Sequence, residues 1–446
     1  MTMSDKRSLL DIARSALEAS AAEQTEVLVS ADESGLTRFA NNAIHQNVHK
    51  SSVGVSMRAI VGKKIGVAST DDPSEESLRD LADRALTLAR HAEDLEDFVS
   101  LPEPIAATGD TDLAPVQATV DCGPEERAAA VRQMVGIAAA EGLSAAGQVM
   151  TGTDAVAVVN SLGVEAYFAR SNSRMRVVMQ GTDSSGFAEA ESDDVSTVSA
   201  ETLGRRAADK ALLGAGPRDL RPGRYTVILE PLAVTDLLGT LAVYDLHALA
   251  HQEGRSFTSG RLGQRVCGEN ISVWDDGHDP RGGRLPHDYE GVPRQRVSMI
   301  DNGVLKAVPY DSYTAGREEG ATNTGHALPA PNTWGPVPLN VFMNTGQYSV
   351  QDMIAATERG VLVTRFHYTN MIHPVKTIFT GMTRDGTFLI EKGRIVGGVR
   401  NLRFTQSILE ALSNVDMIGA EGEQFEYAWA PALRIQGFEF SSATEF

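Results

Sequence analysis

None of the ten histidines is followed by glutamate, so the chain lacks the HExxH and HExxxH arrangements. In those motifs a helix sets two imidazoles on one face and the Glu activates metal-bound water. With only two cysteines, Cys122 and Cys267, there is no disulfide framework. No apolar run approaches the ~20 residues that span a bilayer, and Met1 to Asp11 lacks the basic-then-apolar layout of a signal peptide. Basic residues are outnumbered 40 to 59, giving a formal charge of -19, and no Lys/Arg run interrupts this surplus. Such a surface repels phosphate backbones and anionic lipid, so neither nucleic acid nor membrane is an expected partner. There is no G-x-S-x-G elbow. Gly282-Gly283 and Gly397-Gly398 lack the setting of a P-loop or dinucleotide fingerprint and read as turns. The expectation is a soluble protein of a reducing compartment, the cytoplasm by default.

What is present is ordinary globular composition, 42% hydrophobic and 22% charged, over 446 residues, enough for two or three domains. Ser8 to Ala22 has helical apolar spacing. Glu26 to Ser30 reads as a short strand, and the polar Asp32-Glu33-Ser34-Gly35 reads as a hairpin turn with Gly35 at positive φ. Strands follow over Val48–Met57 and Ile65–Ala68, then a capped helix over Pro73–Ala92. The Pro/Ala-rich stretch 102–124 reads as a connection. Beyond it come a helix over Glu125–Glu141, a hairpin across Asn160-Ser161-Leu162-Gly163, a strand over Met175–Gln180 and a helix over Ser199–Leu213. Gly214-Ala215-Gly216-Pro217 marks the clearest boundary. Past it, a strand at Tyr225–Glu230 leads through Pro231 into a helix over Leu232–Ala250, and hairpins then dominate, two of them turning at Asn302-Gly303 and Lys392-Gly393. The expected fold class is α+β: an N-terminal α/β domain (1–105), a central α/β segment (106–216) and a β-rich C-terminal domain (217–446).

Three histidine pairs are worth weighing. His247 and His251 stand i, i+4 on the expected helix with Glu253 nearby, a spacing that permits two metal ligands; such a pair near a helix end is more often a polar or half-buried feature. His45 and His49 share the spacing but enter a strand, where it does not bring imidazoles together, and read as cross-strand or surface residues. His367 and His373 flank Asn370 and read as structural, with a substrate-facing loop as the alternative. Cys267, in Arg265-Val266-Cys267-Gly268-Glu269, reads as a core thiol.

The order of several segments resembles the TldD/PmbA (TldE) family, formerly called modulators of DNA gyrase. The resemblance runs through Thr37-Arg38-Phe39-Ala40-Asn41-Asn42-Ala43-Ile44-His45-Gln46-Asn47, Val53 to Arg58 and Gly62 to Thr70. It continues at Asn160-Ser161-Leu162-Gly163, Ile228-Leu229-Glu230-Pro231, Phe257-Thr258-Ser259-Gly260 and Asp301 to Leu305, and in the tail from Thr380-Gly381 to Arg400-Asn401. It covers nearly the whole chain. In that family a TldD-like zinc metallopeptidase subunit pairs with a TldE-like subunit lacking the metal motif, in a complex that degrades unstructured peptides or matures peptide precursors. Where the zinc helix belongs, this chain reads Leu238-Gly239-Thr240-Leu241-Ala242-Val243, and near the place of the cysteine ligand it offers Ala420. The resemblance therefore implies the TldE/PmbA side: no catalytic or metal-ligating residue in this chain, zinc in a TldD-like partner, an unfolded peptide as substrate, and heterodimer or homodimer both open. A self-sufficient metallopeptidase using His247 and His251, and a non-enzymatic peptide-binding scaffold, are the alternatives.

Overall fold

The computed structural model describes residues 5–106 and 113–443, so part of the connection expected over 102–124 lies outside the described residues. Helix α1 (Lys6–Glu18) precedes three antiparallel strands, β1 (Gln24–Ala40), β2 (Ala43–Val61) and β3 (Lys64–Thr70), and α2 (Glu75–His91) follows. After a single helical turn, α3 (Gln117–Val120), the same order recurs as α4 (Pro124–Ala140), β4 (Ser144–Asn160), β5 (Glu165–Gln180), β6 (Ser185–Ser192) and α5 (Ala200–Leu213). The strands form one six-stranded sheet in the order β3-β2-β1-β4-β5-β6, so the expected N-terminal and central units lie side by side in a continuous sheet.

The two halves are pinned by the same device. A Cβ on Gly66 of β3 would stand 2.2 Å from the carbonyl oxygen of Ala85 and the amide nitrogen of Ala89 in α2. A Cβ on Gly186 of β6 would stand 2.1 Å from the Ala207 oxygen and 2.5 Å from the Ala211 nitrogen in α5. In each half a helix backbone thus rests directly on a strand backbone, which only glycine allows. The odd-numbered Val27, Val29 and Ala31 of β1 face the helices and are fully or nearly buried, while Glu33 farther along is exposed. Even-numbered residues face the other way.

The expected turn at 32–35 does not occur. Strand β1 runs through it, and the chain reverses at Asn41 and Asn42, whose φ values of 50° and 61° suit a tight primed turn. Gly35 serves a different need: the Arg127 guanidinium lies over it, 2.3–2.6 Å from where a Cβ would stand, and donates to Thr37 Oγ1, Thr151 Oγ1 and the Cys122 carbonyl.

The second part begins with β7 (Gly223–Leu229), α6 (Pro231–Asp245) and α7 (Ala248–Gln252). The helix expected over 232–250 is therefore two helices, with Leu246 and His247 out of helical conformation between them. Short elements follow: β8 (Val273–Asp275), β9 (Val297–Asp301), β10 (Val304–Leu305), α8 (Ser312–Gly316), β11 (Val341–Met343) and α9 (Val350–Ala355). The long strands are β12 (Arg359–His373), β13 (Ile378–Glu391), β14 (Arg394–Gly398) and β15 (Leu402–Ser407); after α10 (Ile408–Ser413) come β16 (Val415–Phe425) and β17 (Ala428–Ala443). Both X-X-Gly hairpins form where expected, β9–β10 across Asn302-Gly303 and β13–β14 across Lys392-Gly393. Pairings run β7–β12–β13–β15–β17 and return from β17 to β7, closing a five-stranded barrel around Phe366, Phe404, Phe438 and Phe440. The even face of the six-stranded sheet docks on this part through Leu28, Val156, Val158 and Phe168 against Leu285 and Leu339.

Candidate functional site

The two parts meet again along β6, where Glu191 Oε2 accepts from the Glu426 amide at 2.8 Å and Asp385 Oδ1 from the Ser185 hydroxyl at 2.7 Å. Between these contacts lies a cleft, with the sheet as floor and α6, the loop around Pro280–Arg284 and the β16–β17 hairpin as roof. Three connected cavities of about 480, 430 and 430 Å³ make it up, and Glu426 and Tyr427, at the tip of that hairpin, line all three. Glu426 has φ 52°, so a two-residue turn carries these side chains into the space.

Strand alternation places Arg170, Asn172, Arg174 and Arg176 of β5 on the floor, because Met175 and Val177, at the alternate positions, point into the helical core. Arg170 Nε donates to Asp154 Oδ2 at 2.8 Å. Arg174 is paired with Glu189 and with Glu191 at 2.9 Å, and lies 3.4 Å from Glu426. Arg365 of β12 is held by Asp385. Arg176 differs: among the described residues its guanidinium makes one hydrogen bond, to Gln148 Oε1 at 3.1 Å. On the roof, the Arg281 guanidinium lies over Trp429 at 4.6 Å while pairing with Asp279.

Helix α6 turns Leu232, Thr235, Asp236, Gly239, Thr240 and Val243 to the cleft, an i, i+3, i+4 stripe. The hydroxyls of Thr235 and Thr240 are spent on the carbonyls of Leu232 and Asp236 within the helix. Asp236, held by Thr369, is the stripe's single carboxylate, and burial raises its pKa against the Thr369 hydrogen bond. One carboxylate without imidazole or thiolate does not fit a tetrahedral zinc centre. Among the described residues no group of three His, Cys, Asp or Glu side chains is placed to hold a metal ion.

The sequence candidates fall elsewhere. His247 is fully buried, extended, and caps α7 by accepting from the Ala250 amide at 3.4 Å, so it does not share a helix face with His251. Its Nε2 has no partner, and burial pushes its pKa down to about 3. His251 Nδ1 instead meets Thr258 Oγ1 at 3.2 Å. The geometric premise of a His247/His251 metal pair is thus absent. His45 and His49 lie exposed on β2, His49 3.7 Å from Glu33 on the neighbouring strand. His367 and His373 sit in β12, not in a loop. Cys267 is buried, its thiol pushed up to about 12, and Cys122 is half-buried. Ala420 is exposed on β16, away from the cleft that Phe425 to Tyr427 of the same hairpin line. Sequence reading missed the floor arginines. Their signal was the alternation Arg170, Asn172, Arg174, Arg176, visible only once the strand is extended back from Met175.

Comparison with known proteins places this architecture. Three family models match in order: PmbA/TldA metallopeptidase domain 1 over residues 25–89, the central domain over 123–214 and the C-terminal domain over 222–442. A metalloprotease of Methanothermobacter thermautotrophicus is 28% identical over 243 residues, 53% of this chain and 50% of that protein. A TldD homologue of Buchnera aphidicola is 27% identical over 47% of this chain and 43% of its own length, so the matched stretch spans about half of these relatives or less. A PmbA homologue of Haemophilus influenzae matches more broadly, 25% identical over 70% of this chain and 73% of that one. Among solved structures, TldE from Thermococcus kodakarensis superposes with a TM-score of 0.87 at 19% identity, covering 96% of this chain and 99% of that one. A putative modulator of DNA gyrase from Thermotoga maritima does so with a TM-score of 0.82 at 20% identity, covering 93% and 95%.

Proposed function

The chain belongs to the PmbA/TldD metallopeptidase family, and from that premise we propose that it is a metal-free, TldE/PmbA-like subunit of a two-chain zinc metallopeptidase acting on unstructured peptides or peptide precursors in the cytoplasm. The observation that carries this reading is the cleft-facing stripe of α6, which lines a roomy cavity yet presents a single carboxylate and neither histidine nor cysteine. The hydrolytic zinc is assigned to a TldD-like partner. This chain's part is to hold substrate: β7 pairs with β12 only over Gly360–Val363, so the same edge of β12 is free of strand pairing from Thr364 onward, where Arg365, Phe366 and Thr369 border the cleft. An extended peptide can add to such an edge through main-chain hydrogen bonds, whereas a folded substrate cannot supply a strand.

The test uses purified protein, alone and mixed with a TldD-like subunit. Alone, it is expected to carry substoichiometric zinc and leave casein intact; with the partner, casein and denatured proteins are cleaved and folded domains are not. Stoichiometric zinc and activity in the isolated chain, lost on His247→Ala and His251→Ala, would overturn the proposal. Peptide binding without activity beside any partner would favour the scaffold reading.

A further inference from the structure

Arg174, Arg176 and Arg365 line the end of the cleft beside α6, and Arg38 stands beyond it on the same sheet face, two strands from Arg176. Two of them have their own carboxylates, Arg174 with Glu189 and Glu191, and Arg365 with Asp385. The other two do not. Among the described residues no carboxylate lies within ion-pair distance of Arg176 or Arg38, although the chain as a whole carries nineteen excess negative charges. Burial pushes the Arg176 pKa down, with Arg174, Arg365 and Arg38 adding to the effect and Glu189 opposing it, and the carboxylates of Glu189, Asp236 and Glu426 line the same end of the cleft without pairing with this guanidinium.

The strand register shows why these groups act together. Gln46 pairs with Arg38, Arg38 with Gln148, and Gln148 with Arg176, on strands β2, β1, β4 and β5. Side chains directly across a ladder project from the same face. The four therefore make one row of hydrogen-bond donors across the sheet, running from the cleft wall at Arg176 to the exposed strand β2. Arg38 and Arg176 are two strands apart, roughly 10 Å between backbones, with the Gln148 amide between them. A lone half-buried guanidinium with most of its N–H fork unused favours a planar, bidentate acceptor.

We infer that Arg176, with Arg38 beside it, is a carboxylate-binding position of the cleft, taking an acidic side chain or the free C-terminal carboxylate of an extended peptide. This rests on the peptide-holding reading above and deepens it by naming what the held peptide carries. A guanidinium pairing with a ligand carboxylate in a partly desolvated cleft is worth about tenfold or more in affinity.

The experiment measures binding of fluorescein-labelled, Gly/Ser-rich unstructured peptides to the full-length chain by fluorescence anisotropy. One peptide carries a single internal Glu with an amidated C-terminus, a second has Gln in its place, and a third keeps Gln but has a free C-terminus. The Glu peptide, the free C-terminus peptide, or both are expected to bind about tenfold tighter than the neutral one, and which of them does identifies the source of the carboxylate. Arg176→Gln should abolish that preference, Arg176→Lys should keep part of it, and Arg38→Gln, at an exposed position whose loss does not threaten folding, should reduce it. The preference should shrink as salt is raised. Equal binding of all three peptides, or a preference unchanged in both Arg176→Gln and Arg38→Gln, overturns the inference while leaving the peptide-holding role standing. No binding of any peptide overturns both. An arginine-dependent preference in a chain that no TldD-like partner activates leaves this inference standing and removes the two-chain peptidase.

Discussion

Arg294, Asp275 and His326 are all completely buried, and one carboxylate serves them both: Asp275 Oδ1 accepts from Arg294 Nη1 at 3.0 Å and meets His326 Nε2 at 3.0 Å, while Oδ2 accepts from the Asn340 amide at 2.7 Å. Arg294 and His326 hold the Asp275 pKa below its ordinary value against the effect of burial. Taking the carboxylate away removes the ion-pair partner of a fully buried guanidinium, so Asp275→Asn should cost about 3–5 kcal/mol. Urea unfolding near neutral pH checks this, and a loss below about 1 kcal/mol would show that the cluster is not the buried ion pair described. His247 gives a pH signature. Its folded pKa near 3 lies below its unfolded value of about 6.5, so the stability it contributes is present above pH 6.5 and is lost as pH falls toward 3. Between pH 7 and pH 4 that loss amounts to about 2–3 kcal/mol. His247→Asn keeps a side-chain acceptor for the Ala250 amide and removes the titration, so its acid limb should be shallower in unfolding measured across that range; a parallel limb would refute the assignment. Neither site was legible in the sequence. Asp275, Arg294 and His326 are far apart and share no period, and the His247/His251 spacing suggested ligands only because nothing local announces that the helix stops at Asp245. What stops it is tertiary: the Ser256 hydroxyl takes the Asp245 carbonyl at 2.8 Å.

The helices of the six-stranded sheet were readable because their signals are local. α2 spans Glu75–His91, inside the expected 73–92, its Ser74 hydroxyl accepting from the Ser77 amide and its stripe Leu78, Leu81, Ala82, Ala85, Leu86 and Ala89 buried. The strands were read too short. β1 carries the consecutive polar residues Asp32, Glu33 and Ser34 within it, partly or fully exposed, and a polar run ending in Gly35 reads as a turn although the strand continues through it. The duplication of helix, three strands and helix was hidden as well, because what it repeats is a contact and not a motif: Gly66 under Ala85 and Ala89, Gly186 under Ala207 and Ala211. Gly66→Ala and Gly186→Ala should each push a helix off its strand and cost about 1–3 kcal/mol or more, the range of overpacking. Gly62→Ala makes a useful contrast. It meets nothing within 4 Å, but its φ of 61° carries backbone strain alone, worth about 1 kcal/mol. Thermal unfolding of the three variants separates the effects, and equal losses for all three would rule out the steric account.

At the scale of the molecule, the sheet and the β-rich part are joined beside the cleft by a buried charge cluster. Arg58 Nη2 on β2 reaches Glu26 Oε2 on β1 at 2.7 Å and Glu290 Oε1 in the second part at 2.9 Å. Ser312 at the start of α8 donates its hydroxyl to the same Glu290 oxygen at 2.6 Å, and the neighbouring Asp288 and Asp311 are themselves pushed up by burial and by Glu290. Burial, with Glu290 adding to it, raises the Glu26 pKa to about 7 against the pull of Arg58, while the two carboxylates hold Arg58 firmly protonated against its own burial. The sign follows from that direction. A carboxylate whose folded pKa is raised contributes stability that is complete below its unfolded pKa, about 4, and is lost as pH climbs through 7. Glu26→Gln removes this penalty while keeping an acceptor for Arg58, so relative to the parent chain it should gain on the order of 3 kcal/mol between pH 5 and pH 8. Arg58→Met acts in the opposite sense. It leaves Glu26 and Glu290 facing each other without Arg58 between them, at a cost of about 3–5 kcal/mol that should be largest at pH 8 and smallest at pH 5, where Glu26 takes up a proton. Because the cluster spans the two parts, calorimetry of Arg58→Met at pH 8 should split the parent's unfolding into two transitions, the sheet and the barrel melting separately, and lowering the pH should bring them back together. A single transition displaced by the same amount at both pH values would mean that the apolar contacts of Leu28, Val156 and Phe168 hold the parts together without the charges, and the cleft between them would then be rigid to changes of pH.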